Sequence, residues 1–584
     1  MTARRTPQQA SQSYSPRRLH VVLAGLGLCA LLLGWRALDL HVNQHEFLQR
    51  QGDLRNLRVE PLVAHRGVIR DRDGRPLAVS TPVTTLWANP RELLAARETW
   101  SRLRGNPVLD VNALASRVEA NAHREFIYLA RHLAPEQAEE VLAHRVPGIY
   151  PLTEYRRYYP AGEVTSHLVG FTNIDEVGQE GIELALESRL RATPGRKKVV
   201  RDLHGRVIQD IELLEEPRSG EDVYLSIDLR LQYLAYRELL SAVNRHRAAA
   251  GSAVVLDART GEVLAMVNQP SYNPNNRSGV NTAALRNRAV TDVFEPGSTL
   301  KPFTVAAALE SGMVTPATQI DTRPGTMRVA NKTIRDHRNY GVIDVATVLT
   351  KSSNVGTTKL ALDMDDQVLP GFLERVGLGI HSGVRFPGES AGMLPIRHRW
   401  RDIEKATLSY GYGVSVTALQ LARAYAVLAN DGRRLPLSLE RVQAEHAAAE
   451  HRFAEQVISP VYARAIVDML ETVVSEEGTA RRAKVPGYRV AGKTGTVHKL
   501  LPSGYADDRY VALFAGVAPA EDPRIVTVVI VDDPRGRDYF GGLVAAPVFS
   551  NIMAGVLRTL DIEPPDTSPP PAIYAGGGNE EGRI

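Results

Sequence analysis

From position 20 to 35 the chain reads HVVLAGLGLCALLLGW, a run almost without polar side chains, bounded by Arg17 and Arg18 before it and Arg36 after it. The 17 residues between Arg18 and Arg36 would make about 26 Å of helix at roughly 1.5 Å per residue, the short end of a membrane span. Trp35 and Arg36 suit the far interface, where an arginine can snorkel. Arg4, Arg5, Arg17 and Arg18 precede the span, an excess of positive charge that keeps the tail cytoplasmic and exports the rest of the chain. Trp35-Arg36-Ala37-Leu38 comes directly after the apolar run. It offers no small-x-small cleavage site, which favours an uncleaved anchor over a signal peptide or a buried helix.

Beyond the anchor, residues 41–60 read as a polar, mostly helical stalk. Short strands near 67–70 and 77–79 then alternate with helices near 111–120 and 134–143. The glycine-punctuated basic run 191–210 reads as a solvated hairpin. Near 220 a turn-like stretch gives way to VYLSID and a helical run over 229–247, which places a domain boundary. GSAVVLDARTGEVLAMV, residues 251–267, is two β-rich runs joined by a turn. Further strands are expected at 488–497, 510–517 and 525–531, and 298–430 is mostly helical. This order predicts an α+β fold, an antiparallel sheet with helical layers. From about 563 the chain is rich in proline and glycine, the composition of a flexible tail. The expected organisation is a tail (1–18), an anchor (19–40), an amino-terminal module (41–220), a catalytic-size domain (221–562) and a flexible end (563–584).

Length and charge narrow the function. A chain of 584 residues exceeds one hydrophobic core, so two to four domains are expected. Seventy basic against 66 acidic residues leave a net charge of only +4, with no dense basic stripe of the kind nucleic acid requires. One cysteine, Cys29, excludes an internal disulfide and a cysteine-based metal cluster. No HExxH or tight His/Asp cluster stands in the sequence, so neither a metal nor another cofactor is implied.

The chemistry lies in three short motifs. Phe294-Glu-Pro-Gly-Ser298-Thr-Leu-Lys301 turns at Pro-Gly and enters an apolar helix, which puts Ser298 and Lys301 on one face. A serine hydroxyl becomes a nucleophile when a base takes its proton. A lysine can serve once burial or neighbouring positive charge lowers its pKa. S-x-x-K alone is common by chance. Here Lys351-Ser352-Ser353-Asn354 stands farther along, between helical runs, and Lys493-Thr494-Gly495-Thr496 stands beyond it, in a strand expected independently. Taken singly, Ser352 could be a helix cap, Asn354 a satisfied polar residue and Lys493 an edge-strand lysine. Together they reproduce in order the S-x-x-K, S-D-N and K-T-G signature, with Ser353 in place of the middle aspartate.

On these motifs the chain resembles the class B penicillin-binding proteins, the monofunctional peptidoglycan DD-transpeptidases, and most of all their Gram-negative cell-division type. The resemblance spans about 35–562. It includes Arg66, Gly67, Asp71 and Gly74 of HRGVIRDRDG, then Arg157, Gly162 and Glu163, and Gly178, Gly181 and Glu183 of GQEGIE, which look like signatures of that family's amino-terminal pedestal. It implies a penicillin-binding transpeptidase (serine β-lactamase-like) domain on an elongated α+β pedestal with one transmembrane helix.

Carried over, Ser298 is the acylated nucleophile and Lys301 its neutral base. Ser352 relays a proton to the leaving amine, and Asn354 binds the donor peptide. Lys493 tunes the site and, with Thr494, Gly495 and Thr496, holds a carboxylate of peptide or β-lactam. The N–H groups of Ser298 and Thr496 form an oxyanion hole. Tyr410, Tyr412, Tyr539 and Phe540 line the cleft.

The substrates implied are peptidoglycan stem peptides, with β-lactams as inhibitors, at the inner membrane with a periplasmic catalytic domain. A multi-span membrane glycosyltransferase and other division proteins are the implied partners, because no glycosyltransferase segment is legible. An elongation-type enzyme, a carboxypeptidase or β-lactam sensor, and a catalytically silent division scaffold are the alternatives.

Overall fold

The apolar run forms a 23-residue helix, Pro16–Leu38, in the computed structural model, which describes residues 16–46, 57–201, 207–443, 454–502 and 504–565. At about 1.5 Å per residue this helix is long enough for a hydrocarbon core, and its apolar side chains from Leu19 to Trp35 are exposed. A π-helical turn, Asp39–Asn43, follows. The helical reading of the stalk fails at its far end, where Leu57–Leu62 is a strand. Leu57, Val59 and Leu62 mixed with polar neighbours suit a half-exposed strand better than a helix face. Residues 47–56 of the stalk, and 566–584 of the expected flexible end, lie outside the described residues.

The chain divides into two units, 1–64 with 192–219, and 65–191 with 220–584. In the first, Leu57–Leu62, Gly195–Arg201 and Val207–Glu215 form an antiparallel three-stranded sheet in that order. The basic run is thus the hairpin its glycines predicted. Its cations pair with carboxylates at the surface, as in Lys197 to Asp210 at 3.0 Å.

The second unit begins with a mixed sheet in which Pro76–Ala88 pairs antiparallel with Ile69–Arg70, Ile127–Leu133 and Ile149–Tyr158. The expected helices form at Val111–Ala120 and Pro135–Ala143, and they bury Leu114, Val118 and Val141 with Leu86, Leu93 and Trp100. The larger sheet has the order Val263–Gln269, Ala250–Asp257, Ile525–Asp532, Gly504–Ala518, Ala491–Leu501, every pair antiparallel. Ala250–Asp257 is buried at every residue, as a continuous apolar run between two helical layers should be. Leu229–Arg245 packs with Gly541–Thr559 on this sheet, while Ala418–Ala429 and Pro460–Val474 join Lys301–Glu310 in a second helical group. Gly541–Thr559 is apolar enough to cross a membrane, but about half of it is buried in this core. The region 298–430 is mostly helical, and also holds two small antiparallel strand pairs that the sequence reading did not separate, the hairpin Thr326–Val329 with Lys332–Arg335 and, bracketing it in the chain, Gln319–Asp321 with Val342–Asp344. Their strands are three or four residues long, too short to show a period.

Within this unit two of the amino-terminal signature residues, Arg66 and Arg157, converge on the buried carboxylate of a third, Glu183. Glu183 is 0% exposed and accepts from Arg66 Nε at 2.7 Å and Arg157 Nε at 2.6 Å. Arg66 also reaches Glu187 at 2.6 Å and the Glu183 carbonyl at 2.8 Å. Gly178 donates its N–H to Glu187 at 2.9 Å, and Gly67 donates to the Leu190 carbonyl at 2.9 Å. Gly181 opens the helix that carries Glu183, Gly181–Ala185. Asp71 closes the turn that includes Gly74, accepting from the N–H groups of Asp73 and Arg75 at 2.9 and 2.8 Å, and it also accepts from Leu229 N–H at 3.3 Å. Gly162 starts a short 3₁₀ turn whose Glu163 accepts from Tyr236 at 3.1 Å.

Removing Glu183 strands two buried guanidinium groups, so Glu183→Ala is expected to destabilise this unit by about 3–5 kcal/mol. Breaking the exposed pair of Arg97 with Glu119 should do little. Thermal unfolding of the full chain in detergent separates them, and equal melting temperatures would refute the network's structural role.

Candidate active site

Ser298 lies in the 3₁₀ turn Gly297–Leu300, which runs directly into the helix Lys301–Glu310. Gly297 sits at φ +52°, and a Cβ there would meet Val497 Cγ1 at 2.3 Å, so this turn requires glycine. A Cβ on Gly495 would meet Pro296 O and Thr299 Cγ2 at 3.1 Å each, and Leu513 Cδ1 at 2.7 Å. The two glycines therefore let the strand Ala491–Leu501 lie directly against the serine turn. That strand is the edge of the five-stranded sheet, so its outer backbone groups can pair with an extended ligand.

Three motifs from distant parts of the chain meet around the Ser352 hydroxyl. Lys301 Nζ donates to the Ser352 carbonyl at 2.6 Å and to Asn354 Oδ1 at 2.7 Å, and lies 3.1 Å from Ser352 Oγ. Lys493 Nζ donates to the same Oγ at 3.0 Å and to the Thr494 carbonyl at 3.3 Å. Both lysines are 0% exposed. Burial, reinforced by Lys493, holds the Lys301 amine well below the usual lysine range, against an opposing pull from Asp336. Burial brings Lys493 down to about 7. A neutral Lys301 spends its two N–H bonds on the two carbonyl oxygens and keeps a lone pair for a hydroxyl proton. Ser298 itself is half-buried, and among the described residues Lys301 makes no hydrogen bond to it.

The sequence reading missed Asp336, which fixes the second motif. It accepts from Ser353 Oγ at 2.6 Å and from the N–H groups of Asn354 and Val355 at 2.6 and 3.0 Å. Ser353 Oγ in turn accepts from Gly356 N–H at 2.8 Å and caps the helix Asn354–Asp363. Ser352 is held at φ +57°, an αL conformation uncommon for a non-glycine residue. The arrangement leaves Asn354 Nδ2 on the Arg335 carbonyl at 2.9 Å. Asp336 stands just past the second strand of a short hairpin, Lys332–Arg335, and no local pattern marks it.

The cleft side of the edge strand carries hydroxyls and rings. Thr494 Oγ1 lies 3.0 Å from Thr479 Oγ1, and Thr496 Oγ1 accepts from Gly541 N–H at 2.9 Å. That contact seats Tyr539 and Phe540 beside the strand, stacked at 4.4 Å. The stack continues to Tyr510 at 4.2 Å, and His498 meets Tyr510 at a tilt at 4.7 Å; neither of these stands out in the sequence. Tyr410 and Tyr412 meet edge-on at 5.8 Å, and Tyr412 meets Tyr505 at 6.0 Å. Lys301, Ser352, Asn354 and Lys493 of the three motifs thus meet, with Ser298 in the turn just before Lys301 and the expected aromatics in two groups.

Residues 251–554 match the family model "Penicillin binding protein transpeptidase domain", and residues 61–225 match "Penicillin-binding Protein dimerisation domain". The chain is 45% identical over 566 residues to the peptidoglycan D,D-transpeptidase FtsI of Escherichia coli, covering 96% of this chain and 94% of that one. It is 44% identical over 556 residues to the probable peptidoglycan D,D-transpeptidase PbpC of Pseudomonas aeruginosa, covering 95% and 97%. The crystal structure of penicillin-binding protein 3 from Mycobacterium tuberculosis with aztreonam superposes with a TM-score of 0.66 at 28% identity, over 87% of this chain and 98% of that one. Motif geometry, domain order and near full-length similarity agree, and the chain belongs to the penicillin-binding protein transpeptidases that carry a dimerisation domain ahead of the catalytic one.

Proposed function

We propose that the chain is a membrane-anchored peptidoglycan D,D-transpeptidase that cross-links stem peptides during septal wall synthesis. The observation that carries this is the fully buried amine of Lys301, its pKa held low, between Ser352 and Asn354 one helical turn from Ser298. Ser298 Oγ attacks the carbonyl between the two terminal D-alanines of a donor peptide as Lys301 takes its proton. The tetrahedral oxyanion is met by the N–H groups of Ser298 and Thr496. The C–N bond breaks, and Ser352 passes a proton to the departing D-alanine, leaving an acyl ester on Ser298. An amine of a neighbouring peptide attacks that ester, the new amide forms, and the proton returns to Ser298. Lys493, Thr494 and Thr496 hold the donor carboxylate, Asn354 holds its backbone, and the aromatic groups flank it.

The arginines before the anchor helix put the amino terminus in the cytoplasm and the catalytic domain in the periplasm. Glycan polymerisation then falls to a membrane partner, a multi-span glycosyltransferase of the division machinery. A β-lactam presents its strained carbonyl to the same serine.

Incubating the full chain in detergent with a fluorescent penicillin is expected to give one covalent adduct by intact mass, absent in Ser298→Ala. Labelling that survives in the variant would place the nucleophile elsewhere, and no labelling of folded wild type would sink the enzyme reading. A labelled stem peptide with an amine acceptor should yield amide product, not only hydrolysis.

The lysines set the pH response. Acylation needs neutral Lys301, so the rate should rise with pH along an acid limb well below the ordinary lysine value of 10.5. The positive charge of Lys493 lowers Lys301, so Lys493→Met should move that limb to higher pH while lowering the plateau. A pH–rate profile of acylation checks this, and a limb that stays put or moves down contradicts it. The sign for stability is the same. Between the lowered folded values and 10.5 the unfolded chain binds more protons, so stability rises with pH across that window.

A further inference from the structure

The acyl-transfer steps leave one carboxylate beside the nucleophile unused. Glu295, three residues before Ser298, is 8% exposed. Its Oε1 accepts from Gly413 N–H at 2.8 Å and from the Tyr505 hydroxyl at 2.9 Å. Its Oε2 is buried without a hydrogen-bond partner among the described residues, and burial raises its pKa. Lys301 already supplies the base, so a second one is not needed here.

The partners of Glu295 come from different parts of the fold. Gly413 closes the loop that bears Tyr410 and Tyr412. Tyr505 lies at the tip of the hairpin between the edge strand and its neighbour, where it pairs with Leu500. Besides Glu295, backbone groups stitch the serine turn to the tyrosine loop. Phe294 and Val416 exchange hydrogen bonds at 3.0 and 2.9 Å, and Gly297 N–H donates to the Gly411 carbonyl at 3.0 Å. Among the described residues the hairpin tip has no backbone ladder to that loop. It is joined there by the Tyr505 hydroxyl and by the edge-on contact of Tyr505 with Tyr412. Tyr505 is 52% exposed, so little burial holds it, and a hydrogen bond to a carboxylate is among the stronger kinds.

We propose that Glu295 is a positioning residue whose carboxylate straps the hairpin tip, through Tyr505, onto the serine turn and the tyrosine loop, and so sets the width of the cleft mouth for an incoming acyl donor. It acts through Tyr505 and Gly413 and touches no reacting atom, so it governs binding and leaves the bond-making step alone. This rests on Ser298 being the acylated residue, which the wild-type adduct tests by itself.

Time-resolved acylation of the full chain in detergent, over a range of fluorescent penicillin concentrations, separates half-saturation from limiting rate. Tyr505→Phe and Glu295→Ala are each expected to raise half-saturation by about tenfold, with limiting rates within about twofold of wild type. Glu295→Gln keeps an acceptor oxygen and should remain within about threefold of wild type. The double variant Glu295→Ala with Tyr505→Phe should be no worse than Glu295→Ala alone, because that change already cuts the Tyr505 link. Additive losses, a fall in limiting rate at unchanged half-saturation, or a Tyr505→Phe enzyme identical to wild type would each overturn the strap. Tyr505→Phe removes a single hydroxyl from a half-exposed ring, so the test survives even if Glu295→Ala fails to fold.

Discussion

Lys301 and Lys493 bring their amines to 3.1 and 3.0 Å from one serine hydroxyl, and both side chains are 0% exposed. Two ammonium groups so placed would repel each other in a medium that solvates neither, so the arrangement favours deprotonation. The amines bond to carbonyl oxygens and hydroxyls, which accept hydrogen bonds without the full charge that would restore a lysine's ordinary pKa. The nearest organising carboxylate, Asp336, is kept one step away. It spends its oxygens on Ser353, Asn354 and Val355, so it shapes the motif without forming an ion pair with Lys301. Were that carboxylate bonded to the amine, the ammonium form would be favoured.

Holding two dry amines on one hydroxyl demands a close meeting of sheet and helix. The strand supplies Lys493, the serine turn supplies Lys301, and the Asp336-capped helix start supplies Ser352 and Asn354. Gly297 and Gly495 remove the two side chains that would keep strand and turn apart. Because the strand is an edge, the same close approach leaves a row of backbone groups for a peptide to pair with. Acidity and substrate alignment thus have one structural origin.

Much of this is legible from sequence because the chemistry is carried by short motifs with unusual residue combinations. S-x-x-K, S-S-N and K-T-G name their residues wherever the chain folds, and the β-rich runs around 251–267 and 510–531 form the sheet they suggest. What escapes is what depends on tertiary approach. Asp336 meets Ser353, Asn354 and Val355 only once the intervening chain has folded back, and the hairpin before it is too short to show a period. Tyr505 and Tyr510 lie on one strand yet join different ring groups, because the hairpin tip turns toward Glu295 while the strand body faces Tyr539. Residues 57–60 read as the end of the stalk because the residues before them are mostly polar, and the strand's pairing partner Gly195–Arg201 lies far along the chain. Glu295 stands in plain view within FEPGSTLKP, but nothing local distinguishes a buried strap from a solvated acid.

The molecule uses buried charge in two opposite ways. In the amino-terminal module, Glu183 is sandwiched between Arg66 and Arg157 and Arg66 also meets Glu187, so two guanidinium groups face two carboxylates. Such a cluster does no acid–base work, since an arginine never gives up its proton at accessible pH; it fixes geometry. Around Ser352 the basic groups are lysines without a matched carboxylate, and burial pulls their titration far below the ordinary lysine range. The residue types could not be exchanged: lysines around Glu183 would lose the planar fork that reaches two acceptors at once, and arginines around Ser352 would remain charged and could not take a proton. Glu295 lies between the two cases, a carboxylate whose hydrogen-bond partners are neutral, a backbone N–H and a tyrosine. That role needs an acceptor more than a charge, and it follows from the same rule that governs the lysines: in a site shielded from water, the partner a group is given decides whether it holds shape or moves a proton.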